Sequence, residues 1–370
     1  MLGEKTKKLG FGLMRLPMNG TEVDLEQTKQ MVDLFLAKGF TYFDTAWGYI
    51  DGKSEMAAKT ALVDRYPRER FQLTTKLPAW AAASEADAKE MFWTSLRRCG
   101  VDYFDNYLLH NLGSDRTDSF DRYHIWEFLM QQKQEGRILN LGFSIHASSD
   151  VLDQVLIAHP EVDFVQLQIN YADWESGIVQ SRKNYETARK HGKPVIIMEP
   201  VKGGSLAALP SPAADILLKA NSAVSQASWA IRYAASLPGV VSVLSGMSNI
   251  AQMEDNISYM ESFQPLSAAE QKIVENVQRV MESIPQVPCT DCKYCVKGCP
   301  ANVNIPGTFK VINDYLIYHD IEKARGSYAW ETLKAAKASA CIACGQCESI
   351  CPQSIAIITE LQKAAAALER

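Results

Sequence analysis

Between residues 9 and 262 the chain alternates eight times between a short apolar run and an amphipathic helical segment. Few folds accept that pattern. The apolar runs are residues 10–16, 42–45, 71–76, 106–110, 140–144, 164–170, 195–199 and 241–246. The helical segments between and after them are residues 24–38, 54–65, 84–99, 119–135, 148–159, 177–191, 224–236 and 250–262. Asp24 and Gln27 make a capping pair for the first helix, and Gly39 stops it. Strand followed by helix, repeated eight times, predicts a parallel sheet closed into a (β/α)8 TIM barrel, an α/β fold. The competing fold is an open, doubly wound sheet. No GxGxxG follows the first run, so a Rossmann unit has no support.

The alternation ends at Gln264–Pro265. Ser267 and Glu270 then form a second capping signal for one long helix, with Ile273, Val277, Val280 and Ile284 on one face and Pro285 and Pro288 at its end. The expected organisation is a barrel over residues 1–265, a linker helix over 266–285 and a mostly helical, cysteine-rich domain over 286–370. The net charge is −5 and no basic block occurs, which argues against a nucleic-acid partner. Residues 1–10 are polar and lysine-rich, unlike a signal peptide. No stretch reaches the roughly 18 apolar residues of a membrane span. The expectation is therefore a cytoplasmic protein with no membrane partner, in a compartment where thiols stay reduced. Clustered cysteines then read as metal ligands rather than disulfides.

Eight of the nine cysteines fall in two identical runs. Cys289, Cys292, Cys295 and Cys299 are spaced C-x2-C-x2-C-x3-C, followed by Pro300. Cys341, Cys344, Cys347 and Cys351 repeat the spacing, followed by Pro352. This is the bacterial ferredoxin run for 4Fe–4S clusters. Three closely spaced thiolates wrap one cube, and the fourth ligates the other cluster. One cluster is thus expected on Cys289, Cys292, Cys295 and Cys351, the other on Cys341, Cys344, Cys347 and Cys299. Gly298 and Gly345 are expected to let backbone N–H groups approach the sulfurs. Structural zinc, the alternative, usually pairs two separated C-x2-C units and fits this spacing poorly. Residues 309–317 and 328–338 look helical within the spacer, and Cys99 reads as a small buried hydrophobe.

Active sites of such barrels lie where strands end and loops begin. Asp44 ends the second run, Tyr49 follows in its loop, Lys76 ends the third and His110 the fourth. In this order and spacing Asp44, Tyr49, Lys76 and His110 resemble the catalytic tetrad of the aldo/keto reductase family. Phe11-Gly12-Leu13-Met14-Arg15-Leu16-Pro17, Phe43-Asp44-Thr45-Ala46, Asp102-Tyr103-Phe104-Asp105 and Leu141-Gly142-Phe143-Ser144 carry the same resemblance over residues 1–262. The whole chain is similar to a bacterial branch in which that barrel is fused to a ferredoxin-like tail. The resemblance implies that Tyr49 protonates a carbonyl oxygen, that Lys76 lowers its pKa with Asp44 holding the lysine, and that His110 donates a hydrogen bond to the substrate.

It further implies an NAD(P)H groove. Ser144 and Gln168 would hold the nicotinamide amide, and Met198 takes the place of the family's stacking aromatic. Lys202 and Gly203 would line the pyrophosphate; Ser248, Asp255 and Asn256 would border the phosphate and adenine. Gln252 replaces the basic residue that commonly holds a 2′-phosphate. Nicotinamide passes two electrons as hydride and each cluster passes one, so a flavin such as FMN is the converter expected if barrel and clusters cooperate. The function expected is an iron–sulfur oxidoreductase that reduces a carbonyl or related small molecule, served by a ferredoxin or flavodoxin partner. The alternatives are a conventional NAD(P)H-dependent carbonyl reductase with structural clusters, and an electron-transfer protein that uses the barrel as a scaffold. Trp80 and Trp174 are either substrate-stacking or core residues.

Overall fold

The computed structural model describes residues 7–113 and 116–369, in two compact units. The first comprises the chain up to Ala207 together with Ala223–Lys272; the second comprises Ala208–Ser222 and Ile273–Arg370.

The first unit is a closed barrel of eight parallel strands in sequential order. They are β1 (Leu9–Gly12), β2 (Tyr42–Asp44), β3 (Gln72–Leu77), β4 (Phe104–Leu112), β5 (Ile138–Ile145), β6 (Phe164–Gln168), β7 (Val195–Met198) and β8 (Val240–Ser245). Gly10 of β1 pairs with Tyr42 on one side and Leu244 on the other, which closes the ring. Alternation along each strand then decides the two faces. The outward face is apolar: Phe11 and Phe43 meet Phe35 of the first helix at ring separations of 5.8 and 5.3 Å. The inward positions carry Tyr42, Leu108, Phe164, Ile196 and Leu244, which fill the barrel centre as their own buried cluster. Gly142 faces Phe164 there; a Cβ at that position would lie 2.6 Å from the Phe164 carbonyl oxygen.

The helices that wrap this sheet are α1 (Leu25–Ala37), α2 (Lys53–Ala58), α3 (Glu85–Cys99), α4 (Ile125–Gln134), α5 (Ser149–Ala158), α6 (Ser181–Lys190), α7 (Gln226–Ser236) and α8 (Ile250–Met260). Asp24 caps α1, its Oδ1 accepting from the Gln27 N–H at 3.0 Å. The helix expected over 119–135 is two pieces, Thr117–Arg122 and α4, because His124 at φ 50° breaks it. β4 also runs two residues past His110.

The linker helix is α9 (Ala268–Glu282), opened by the expected box: Glu270 accepts from the Ser267 N–H, and Ser267 Oγ accepts from the Glu270 N–H. Its buried residues are Val274, Val277 and Met281, so the buried face is turned from the expected Ile273–Ile284 stripe, with only Val277 common to both.

The second unit is built on a repeat of 52 residues. Helices α10 (Tyr294–Lys297) and α11 (Ile305–Tyr318) recur as α13 (Gln346–Ser349) and α14 (Ile357–Leu368), with α12 (Ile321–Glu331) between them. Left-handed residues recur in step: Asp291, Lys293 and Asn302 match Ala343, Gly345 and Ser354. α12 begins earlier than the expected 328–338 helix because Asp320 caps it, accepting from the Lys323 N–H. Phe309, Ile312, Tyr328, Ile357 and Leu361 form its core. No helix among the described residues is long and apolar enough to cross a membrane.

Candidate active site and cluster cavities

Asp44, Lys76, His110, Ser144, Gln168 and Met198 share inward parity at or near the C-terminal ends of β2 to β7. Strand alternation alone therefore brings six of the expected residues to one barrel mouth. Lys76 is buried, and its Nζ donates to Asp44 Oδ1 at 2.5 Å, to the Thr45 carbonyl at 2.7 Å and to the Tyr49 hydroxyl at 3.3 Å. The Tyr49 ring stands edge-on to His110 at 5.8 Å.

Tyr49 sits on an unusual loop. Ile50, Asp51 and Gly52 are all left-handed, at φ 51°, 53° and 83°. A β-branched residue there is strained, so the surroundings must hold it. Ser54 Oγ bonds Thr45 Oγ1 at 2.7 Å and the Leu13 carbonyl at 2.9 Å. Glu55, fully buried, accepts from Thr75 Oγ1 at 2.7 Å and from Arg98 at 3.3 Å. Thr45 and Thr75 adjoin Asp44 and Lys76, so the loop is pinned to the strands that carry its partners. These pinning residues escaped the sequence reading; the signal was the polar run Gly52-Lys53-Ser54-Glu55 just after Tyr49.

Burial pushes the Asp44 carboxyl up, and Lys76 only partly offsets it. Burial pulls Lys76 down, yet the charges of Asp44 and Tyr49 outweigh it and leave the lysine raised. The two directions oppose each other as descriptions of one ion pair; the 2.5 Å contact and the Thr45 carbonyl favour the charged lysine. Tyr49 departs from expectation. Burial raises its phenol above the ordinary value, and Lys76 lowers it by less. The cation restrains that rise without producing a low pKa. His110 is held well below the usual imidazole range by burial and by the positive charges of Lys76, His146 and Arg116, so it is neutral.

The residues expected to contact a nucleotide have partners within the protein. Ser144 Oγ accepts from the Asn111 N–H at 2.8 Å. Gln168 bonds His146 Nδ1 at 3.1 Å and donates to Asp173 at 3.2 Å. Lys202 is ion-paired with the buried Asp173 at 2.8 Å, and these charges hold the Asp173 carboxyl down against the burial that would raise it. Gly203 follows in a left-handed turn. The Ser248 N–H donates to Gln252 Oε1, and Asp255 accepts from Ser225 Oγ, both at 2.7 Å. Asn256 is buried between Ser245 Oγ and the Tyr259 hydroxyl. Met198 offers no ring. Ser144, Gln168, Lys202, Asp255 and Asn256 are thus each engaged within the protein. Asp173 was missed in the sequence, since nothing local ties it to Lys202.

Trp80 lies at the mouth, its Nε1 donating to the His110 carbonyl at 3.0 Å, while Trp174 packs on Tyr185 and Tyr233. Cys99 is buried, which pushes its thiol well up.

In the second unit the eight cysteines line two cavities. One has Cys289, Cys292, Cys295 and Cys351 in its wall. The other has Cys299, Cys341, Cys344 and Cys347. The fourth cysteine of each run thus sits with the first three of the other. The first also has apolar Pro306, Phe309 and Ile357 with polar Thr290, Lys293 and Gln353 in its wall, and the rest of the second is apolar, with Val303, Ile342 and Leu361. The donor set fits two iron–sulfur cubes. Burial pushes the Cys295 thiol up to about 11, so thiolates need a metal's positive charge to persist there. Val303 N–H reaches Cys299 Sγ at 3.4 Å. Gly345 is left-handed at φ 77°, but Gly298 at φ −102° adopts a conformation open to any residue.

Comparison with known proteins agrees with both halves. The aldo/keto reductase family profile matches residues 8–279, and a 4Fe-4S dicluster domain profile matches residues 288–356. An aldo-keto reductase of Mycolicibacterium smegmatis is 28% identical over 151 residues, 40% of this chain and 50% of that protein. The chain thus spans about half the length of the mycobacterial relatives it matches. The uncharacterized oxidoreductase YqkF of Bacillus subtilis is 26% identical over 68% of this chain and 86% of its own. Among solved structures, a Bacillus halodurans aldo-keto reductase in its holo form superposes at TM-score 0.59 and 25% identity, over 75% of this chain and 95% of that one. A Klebsiella pneumoniae aldo-keto reductase in complex with NADPH gives 0.57 at 22% identity, over 75% and 96%, a likeness of fold.

Proposed function

As the chain belongs to the aldo/keto reductase family and is an oxidoreductase with a 4Fe-4S dicluster domain, we propose that its barrel reduces a carbonyl compound with electrons passed through two clusters. The observation that carries this reading is the buried Asp44–Lys76–Tyr49 contact chain beside a neutral His110. Converting a carbonyl to an alcohol takes two electrons and two protons. As charge builds on the oxygen, the Tyr49 O–H gives up one proton. Lys76, 3.3 Å from that hydroxyl, stabilises the phenolate left behind, and Asp44 and the Thr45 carbonyl hold the lysine in place. Neutral His110 donates its one N–H to the oxygen rather than competing as an acid. The two electrons come from the reductant, and the second proton comes from solvent, by way of the flavin where one pairs the electrons. The cysteine sets Cys289/Cys292/Cys295/Cys351 and Cys299/Cys341/Cys344/Cys347 would hold the clusters, which when bound pass electrons singly. The natural donor is then a one-electron carrier such as a ferredoxin or flavodoxin, and a flavin supplied by the barrel or by that partner would pair the electrons.

Oxygen-free protein supplied with a simple aldehyde and either NADH, NADPH or reduced viologen tests the reading. Turnover with viologen, and little with the nicotinamides, is expected. Turnover with NADH or NADPH alone would make this a conventional reductase with structural clusters. Cluster reduction without alcohol formation would leave only electron transfer.

A further inference from the structure

We propose that the substrate is a carbonyl compound bearing a carboxylate, which Arg116 holds beyond His110. The inference rests on the carbonyl-reduction reading and names its substrate class. The Arg116 guanidinium lies over the Trp80 ring, 5.0 Å from its centroid. Trp80 is tied in turn to His110, by the 3.0 Å bond to the His110 carbonyl and by a 6.5 Å ring separation. The cation is thus stacked on a ring fixed beside the residue that meets the carbonyl oxygen, about the length of a small molecule away.

Its charge is uncommitted. Two other cations of the mouth have carboxylates: Lys76 has Asp44, and Lys202 has Asp173. Among the described residues Arg116 has no carboxylate within ion-pair distance. The Arg116 charge bears on His110, whereas the Glu199 charge bears on Tyr49. The mouth is polarised, positive on the Trp80 side and negative on the β7 side. An anionic group is drawn to the first and kept from the second, which turns the carbonyl toward Tyr49 and His110. A guanidinium takes a carboxylate through two parallel N–H bonds, and stacking on an indole pre-orders the fork.

The test compares benzoate with benzamide as unreactive probes, by calorimetry on the full holo-chain and on Arg116→Met, which keeps an apolar chain over Trp80. The wild-type protein is expected to prefer benzoate by about 10- to 100-fold, the range of one charge-assisted pair. Arg116→Met should lose that preference, and Arg116→Lys should keep part of it. Equal binding of the two probes by the wild type, or a preference that survives Arg116→Met, overturns the proposal. Because this readout needs no turnover, it stands or falls apart from the reductase reading. For turnover, 4-carboxybenzaldehyde is compared with its methyl ester. The ratio of their kcat/KM values should fall in Arg116→Met by a similar factor, through KM. A ratio the variant leaves unchanged counts against the proposal.

Discussion

Replacing Lys76 with Met keeps the length of a side chain that is 1% exposed but removes the only cation that touches Asp44 among the described residues. A buried carboxylate left alone costs about 3–5 kcal/mol. Asp44 has an escape, which is to take up a proton. From an ordinary carboxyl value that uptake costs about 4 kcal/mol near neutral pH, and burial already moves Asp44 upward, so the loss lies below that ceiling. The sign of the pH dependence follows. In the variant the folded carboxyl has a raised pKa, so folding binds a proton, and the stability this gives is lost as pH rises through the range between the unfolded and folded values. Stability should therefore fall by up to about 1.4 kcal/mol per pH unit relative to wild type. Denaturant unfolding of the barrel, followed by near-ultraviolet circular dichroism at about pH 5.5 and about pH 7.5, reads this as a gap that widens with pH, by at most about 3 kcal/mol. Asp44→Asn combined with Lys76→Met removes the titrating group and should abolish the slope. A gap that does not change with pH, or a double variant that titrates like the single one, would refute the reasoning.

Tyr49→Phe should lower kcat about 100- to 10,000-fold with little change in KM, and steady-state kinetics checks it. In the wild type, reduction should hold level through neutral pH, because His110 is already neutral and the buried phenol keeps its proton; activity should decline only above the ordinary tyrosine value of about 10. A decline beginning near neutrality would show Lys76 dominating over burial. Asp173→Asn should destabilise the barrel by about 3 kcal/mol at neutral pH through loss of the Lys202 pair. Asp173 is depressed when folded, so its contribution is present above the ordinary carboxylate range and is lost as pH falls; acid titration of the two proteins should converge. Cys289→Ser with Cys351→Ser should lose one cluster, no more than either alone, whereas Cys347→Ser with Cys351→Ser should lose both, as iron counting and electron paramagnetic resonance would show. The reverse pattern would place each run on its own cluster.

Much of the barrel was legible because its signal is periodic. Period-two strands set the parity that brings Asp44, Lys76 and His110 to one mouth. The cysteine spacing likewise indicated which thiols would share a cavity. What escaped was non-local. His124 breaks one expected helix through its own backbone angle, and Asp320 starts another seven residues early. The Asp173–Lys202 pair joins residues far apart in sequence. The Tyr49 phenol went against expectation because burial, which no spacing encodes, outweighs the adjacent cation.

The most direct measurement is a single turnover without oxygen. Clusters reduced beforehand are mixed with a carbonyl substrate, and their visible absorbance is followed. The wild type should reoxidise its clusters as alcohol appears, and Tyr49→Phe should do so far more slowly. Clusters that stay reduced while the wild type makes alcohol from NADPH would contradict a path through the iron.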